Sequence, residues 1–107
     1  MITRSITIPD NSKVTVSCYL VDDSGDPIHV SSWMSSYPEK LGYNVLALRP
    51  NVLQDDIEVF VDPLATSGLY SVTGSSDAGP VIELQITIPV GAVSGTSVVD
   101  IGAVQSL

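Results

Sequence analysis

Apolar and polar residues alternate strictly over three stretches of this chain. Residues 81–88 read Val-Ile-Glu-Leu-Gln-Ile-Thr-Ile, and the same pattern covers residues 13–20 and 56–62. Successive side chains of an extended strand point to opposite faces, so a period of two is typical of strands with one apolar and one polar face. The pattern therefore predicts an all-β protein.

Turn signals separate the alternating stretches into seven or eight strands. The predicted strands are Thr3–Ile8, Lys13–Val21, Ile28–Val30, Asn44–Arg49, Asp56–Val61, Leu69–Thr73, Val81–Ile88 and Ser97–Val104. Such spacing predicts one antiparallel β-sandwich domain over residues 1–107, either Ig-like or a jelly roll. Residues 45–48 are expected to be buried on both faces, and 74–80 to form a polar loop. Residues 31–43 are expected to be irregular, with one helical turn at 38–41 that stops at Gly42.

The clearest turn resembles one found in bacterial immunoglobulin-like modules. It reads Val-Asp-Asp-Ser-Gly-Asp-Pro-Ile over residues 21–28, with Val30 two positions further on. The resemblance implies an Ig-like sandwich and assigns no functional residues. By size and all-β type alone, the chain is also similar to small accessory proteins of tailed-phage virions.

The charge of the chain narrows the choice of partners. Net charge is −8, with 12 acidic residues against four basic ones, Arg4, Lys13, Lys40 and Arg49. Because the protein is acidic and its few cations are scattered, its charge does not favour binding to a phosphate backbone or to an anionic membrane. We therefore expect no nucleic acid and no membrane as partner. The sequence shows no signal peptide and no apolar run near the length of a membrane span. We expect synthesis in a host cytoplasm and a final location in a virion.

Three groups of residues are candidates for chemistry. Asp22, Asp23 and Asp26 either hold calcium or cap a solvated turn, and their spacing favours the turn. Cys18 is either a buried apolar side chain or an intermolecular disulfide partner, and its place on an apolar face favours burial. His29 lacks a recognisable nucleophile motif beside it. We therefore expect no enzyme activity, no catalytic residues, no metal and no cofactor.

Interruptions of the alternation are the candidate interface residues. Aromatic side chains fall in the irregular segment or on a polar face, and the first strand carries few charges that would block edge pairing. The predicted interface residues are Thr3, Ile6, Ile8, Trp33, Tyr37, Tyr43 and Phe60. The aromatic residues of the irregular segment would equally serve to plug one end of a sandwich.

The functional prediction is a structural protein of a multi-subunit assembly. We expect a virion accessory protein, either a capsid decoration protein or a tail or neck component, that binds a major capsid or tail protein and forms a homo-oligomer. The alternative is a carbohydrate- or cell-surface-binding module in which Trp33, Tyr37 and Tyr43 stack on the ligand.

Overall fold

The computed structural model confirms an all-β fold. It describes residues 1–46 and 55–90, and for the backbone alone residues 98–99 and 102–106. The described strands are β1 Ile2–Thr7, β2 Ser12–Cys18, β3 Leu20–Val21, β4 Pro27–Ile28, β5 Ser32–Ser35, β6 Leu41–Val45, β7 Asp55–Val61, β8 Gly68–Ser76, β9 Gly79–Ile88, β10 Val98–Val99 and β11 Gly102–Ser106.

The longer strands form two sheets. One sheet has the order β1-β9-β8-β5, the other has the order β10-β11-β2-β7-β6, and β3 pairs with β4 in a small hairpin. In the first sheet β1 runs parallel to β9, with Ile2 opposite Ile82 and Ile6 opposite Ile86. The other described strand pairs are antiparallel.

Both sheets contribute their apolar faces to a single core cluster, the arrangement expected of a β-sandwich. Burial alternates along β2 and along the inner half of β9, as the sequence pattern predicts. Each fully buried aliphatic side chain stabilises the fold by roughly 1.5–3 kcal/mol relative to an exposed one. The buried apolar residues are Ile6, Ile8, Val14, Val16, Cys18, Leu20, Leu41, Ile57, Val59, Val61, Val72, Ile82, Leu84, Ile86 and Ile88.

The segment 31–43 is more regular than its sequence suggests. Residues 32–35 and 41–45 form β5 and β6, and between them the Leu41 N–H donates to the Tyr37 carbonyl at 2.7 Å. The turn predicted at 38–41 is present as one hydrogen-bonded turn, but Leu41 and Gly42 already belong to β6. Gly42 therefore lies inside a strand and does not end a helix. Pairing of β6 with β7 determines the conformation here, since ladder bonds outweigh the weak local propensity.

Two other expectations need correction. Val45 is 64% exposed, so the prediction of burial on both faces is wrong at this residue, because β6 lies at a sheet edge. Residues 47–49 of the same predicted strand lie outside the described residues. Strand β8 continues to Ser76, and only a short turn separates it from β9, so the predicted polar loop over 74–80 is mostly strand. Polar residues are compatible with a strand here, because one face of this sheet is exposed to solvent.

Candidate functional site

The predicted interface residues divide between two distant places in the fold. Thr3 and Ile6 lie on β1, and Ile8 directly follows it, at one edge of the first sheet. The four aromatic residues lie where β5, at the other edge of that sheet, meets β6 of the second sheet. Trp33 is on β5, Tyr37 is in the following turn, Tyr43 is on β6, and Phe60 is on the neighbouring β7.

Two of the aromatic rings cover glycines on neighbouring strands. Trp33 is directly opposite Gly74, where an added Cβ would come within 2.8 Å of the indole ring. Phe60 is directly opposite Gly42, and its ring fills the space that a Cβ there would need. Aromatic side chains that shield a cross-strand glycine stabilise strand pairs. Phe60 on the polar side of its strand thus has a structural partner within the chain.

The other aromatic residues close the edge between the sheets. The Tyr43 hydroxyl donates to the Trp33 carbonyl at 2.7 Å, and the Ser35 hydroxyl donates to the Leu41 carbonyl at 2.6 Å. Tyr37 stacks on Tyr70 with ring centroids 4.6 Å apart. The two hydrogen bonds join β5 to β6, and the stacked rings join the turn after β5 to β8. The aromatic residues thus form a plug at this edge between the sheets, whereas the sequence interpretation placed the plug at one end of the sandwich.

A shallow surface groove remains over the plug. Its lining includes Trp33, Met34, Pro38, Tyr43 and Phe60, and we call it the aromatic groove. Met34, which is 73% exposed, contributes the most accessible apolar side chain there. The rings of Trp33, Tyr43 and Phe60 are half-buried, so only part of each ring is accessible in this groove.

On β1 the structure corrects part of the interface prediction. Ile6 and Ile8 are 3% and 0% exposed, so their side chains belong to the core and offer no surface to a partner. Thr3 is exposed. What β1 presents to a neighbour is its backbone, because it is the last described strand of its sheet.

The hydrogen-bond direction identifies which backbone groups β1 presents. The Ile8 N–H donates to the Thr87 carbonyl at 2.9 Å, continuing the parallel ladder with β9. Because backbone groups alternate in direction along a strand, residues 2, 4, 6 and 8 direct theirs to β9. Thr3, Ser5 and Thr7 therefore direct their N–H and C=O groups to the outer edge, and their exposed side chains lie on the outer face.

An apolar groove runs beside this edge, between the two sheets. Ile2, Arg4, Ile82 and Leu84 line it from the first sheet. The other wall carries Val16, Cys18, Tyr19 and Leu20. Its continuation towards the β3–β4 hairpin adds Met1, Val21, Ile28 and Val81, together with the acidic residues Asp22 and Asp23. We call this surface the edge groove.

Arg4 stands out in the edge groove, although it is not among the predicted interface residues. It shares a face of β1 with Ile2 and Ile6, and its guanidinium Nη1 donates to the Thr3 carbonyl at 3.1 Å. No carboxylate among the described residues lies within ion-pair distance of it, whereas Lys13 and Lys40 are paired with Glu58 and Asp62 at 3.8 and 3.7 Å. A charge on the apolar face of a strand was the sequence signal that could have identified it.

The acidic turn uses its carboxylate for local structure. Asp22 Oδ1 accepts hydrogen bonds from the N–H groups of Ser24 and Asp26, both at 2.9 Å. Gly25 adopts a φ of 82°, which glycine tolerates without strain. In the part of the chain that the structure describes, no three His, Cys, Asp or Glu side chains converge as metal ligands would.

A small polar cluster surrounds Asp55, which the sequence did not mark as a candidate. Asp55 Oδ2 accepts the Val30 N–H at 2.9 Å, and Oδ1 lies 3.8 Å from His29 Nδ1. The Ser31 hydroxyl donates to the Ser75 carbonyl and is not directed to His29. The cluster thus holds residues 29–30 against the start of β7, and it provides no nucleophile with an adjacent base.

Cys18 lies at the floor of the edge groove and is buried. Burial, followed by the Asp55 and Asp56 carboxylates, raises the pKa of its thiol to about 11. Because the thiolate is the reactive form, this cysteine is protonated and inert near neutral pH.

The described residues contain no helix long and apolar enough to cross a membrane. Compared with known proteins, the chain matches no family model, no curated protein and no solved structure.

Proposed function

We propose that this chain is a non-enzymatic structural protein that joins a multi-subunit assembly through the open edge of β1. One observation carries the proposal: β1 has no neighbour on its outer side among the described strands, and this edge lies beside an apolar groove. Unpaired N–H and C=O groups invite a further strand, and adjoining apolar pockets give such pairing affinity and specificity.

The sandwich we propose as scaffold is Ig-like. Support comes from the strand order, in which β2-β7-β6 and β9-β8-β5 correspond to the B-E-D and G-F-C strands of immunoglobulin domains. In this correspondence β1 takes the place of a first strand that pairs in parallel with the last strand of its sheet. The edge beyond β1 is thus the natural place to extend that sheet.

Within this class we propose a virion accessory role, as a capsid decoration protein or a tail or neck component. The small size, the acidity and the open strand edge suit a protein that binds a repeated surface made of other subunits. Partners would be a major capsid or tail protein, together with further copies of this chain in the same assembly.

Sedimentation of the tagged chain from the cells that produce it tests the proposal. We expect the chain in a particle far heavier than its own 11.3 kDa, Ser5→Ala in the same fractions, and Ser5→Pro in the monomer fractions. Proline removes the outward Ser5 N–H, whereas alanine keeps it. Sedimentation of the unaltered chain as a free monomer would contradict the proposal.

A carbohydrate-binding role is the second candidate, and the aromatic groove favours it. Exposed parts of Trp33, Tyr43 and Phe60 border one surface, and aromatic rings bind the apolar faces of sugars. Screening the purified chain against immobilised glycans tests this role: binding lost in Trp33→Ala would support it, and an absence of binding would eliminate it.

A further inference from the structure

We infer that the edge groove receives an extended segment of a different protein, antiparallel to β1, with a carboxylate directly opposite Arg4 and an aliphatic residue opposite Ile2. The inference rests on the proposed function and specifies the partner of that same surface. It combines the direction of the backbone groups, the charge of Arg4 and the apolar lining of the groove.

The backbone determines the register of the partner. Thr3, Ser5 and Thr7 direct their N–H and C=O groups outward. An incoming antiparallel strand would therefore form its hydrogen-bonded pairs with these residues. Arg4 would then be in a pair without direct backbone bonds, where the Cα atoms approach to about 4.5 Å and the side chains lie closest. The partner residue in that pair faces the edge groove together with Arg4.

Charge determines what that residue is. Arg4 is exposed and, among described side chains, has no acidic partner, although the chain has 12 acidic residues and only four basic ones. Its guanidinium instead donates to the Thr3 carbonyl, one of the acceptors on the open edge. An incoming strand must take over that carbonyl, and a carboxylate opposite Arg4 would give the released guanidinium a stronger acceptor.

The lining determines the neighbouring residues. Ile2 and Tyr19 present apolar surface in the edge groove, since they are 37% and 62% exposed. The partner side chain opposite Ile2, two positions after the carboxylate, would cover this surface, which favours valine, isoleucine or leucine there. The one opposite Ile6 would lie over a side chain that is already buried. A second copy of β1 does not fit, because it would place another arginine on the groove face where a carboxylate is required.

Titration of the isotope-labelled full chain with capped peptides, followed by NMR amide shifts, tests the inference. The probe is the heptapeptide Thr-Val-Thr-Asp-Thr-Val-Thr, compared with the same peptide carrying Asn or Lys at its centre. We expect shifts at Thr3, Ser5 and Thr7, with the Asp peptide about threefold to fivefold tighter than the Asn peptide and the Lys peptide weakest.

Variants of Arg4 separate charge recognition from simple edge pairing. Arg4→Gln should remove the preference for the Asp peptide, and Arg4→Glu should reverse it in favour of the Lys peptide. Ser5→Pro should weaken all three peptides at least tenfold, whereas Ser5→Ala should leave them within twofold. The Arg4 series remains decisive if Ser5→Pro fails to fold, because Arg4 is exposed and outside the core.

Three results would overturn the inference: equal affinity for the three peptides, a preference unchanged in Arg4→Glu, or shifts confined to β5 and β6. The first two would leave the proposed function standing, because β1 would still pair with a strand without selecting it by charge. The third would also count against β1 as the edge of assembly, which the sedimentation of Ser5→Pro against Ser5→Ala decides separately. Conversely, a chain that binds the Asp peptide as described but stays monomeric in cells would contradict the proposed function alone.

Discussion

The two edges of the four-stranded sheet have opposite designs. At the β5 edge, hydrogen bonds and half-buried aromatic residues join the strand to β6 of the other sheet. At the β1 edge, outward backbone groups lie beside an apolar groove, together with Arg4, which forms no ion pair with any described carboxylate. The contrast shows that conspicuous residues need not be the exposed ones: the aromatic residues are largely committed to the fold, and the plainer edge is the one that we propose as the binding surface.

Removal of the indole at the closed edge should have the largest effect. Trp33→Ala takes away a ring that packs on the core and covers Gly74, so we expect a loss of about 3 kcal/mol in the free energy of unfolding. Met34→Ala, one residue further along and on the exposed face, should cost less than about 0.5 kcal/mol. Urea denaturation followed by circular dichroism measures both, and similar losses would refute the assignment of Trp33 to the plug.

The titration of Cys18 tests how well the floor of the edge groove is sealed. Its pKa is raised from 9.0 to about 11 in the folded chain. Below pH 9 the thiol is neutral in both states and its contribution to stability is complete. As the pH rises from 9 to 11 the unfolded thiol ionises first, so stability falls by about 2 to 3 kcal/mol.

Cys18→Ala is the matched control for this titration, because every other ionisable group remains. Urea denaturation at several pH values should show the additional fall in the unaltered chain and not in the variant. Parallel pH profiles would mean that water reaches the thiol through the open edge.

Proline substitutions test the alternating direction of the β1 backbone. Arg4→Pro removes an N–H that belongs to the ladder with β9, and should cost roughly 2 kcal/mol or more. Ser5→Pro removes an outward N–H, and should cost about 1 kcal/mol or less. Thermal unfolding compares them directly, and the reverse order of stability would show that the edge groups belong to the other set of residues.

The smallest effect concerns one hydroxyl at the closed edge. Tyr43→Phe keeps the ring but removes the hydrogen bond to the Trp33 carbonyl, for an expected loss of about 1 kcal/mol. Tyr19→Phe alters an exposed tyrosine at the edge groove and should be neutral. A neutral Tyr43→Phe would indicate that this hydrogen bond does not help to hold β5 to β6.

The sequence predicted the features that depend on its period of two. These features are most of the strands, the alternation of burial along them and the burial of Cys18. It did not predict the features that depend on contacts between distant residues: that Gly42 and Gly74 face aromatic rings, or that Asp55 accepts the Val30 N–H. Local pattern assigns a face to each side chain, whereas strand order and register decide what covers that face.

Arg4 is a second example of a residue whose role depends on more than the sequence pattern. The alternation of residues 2, 4, 6 and 8 already places this arginine on the apolar face of the first strand. The topology is needed to show that β1 is the last described strand of its sheet. The ion pairs are needed to show that Lys13 and Lys40 have carboxylate partners, whereas no described carboxylate lies within reach of Arg4. An inward charge on an edge strand is a known device against indiscriminate pairing, and here it would also select the partner.

Amide hydrogen exchange of the isolated chain is the most direct test of the open edge. The account predicts an alternating pattern along β1, with slow exchange at Arg4, Ile6 and Ile8, which bond to β9, and fast exchange at Thr3, Ser5 and Thr7. Uniformly slow exchange along β1 in the monomer would show that the outer edge is already paired, and would contradict the central claim.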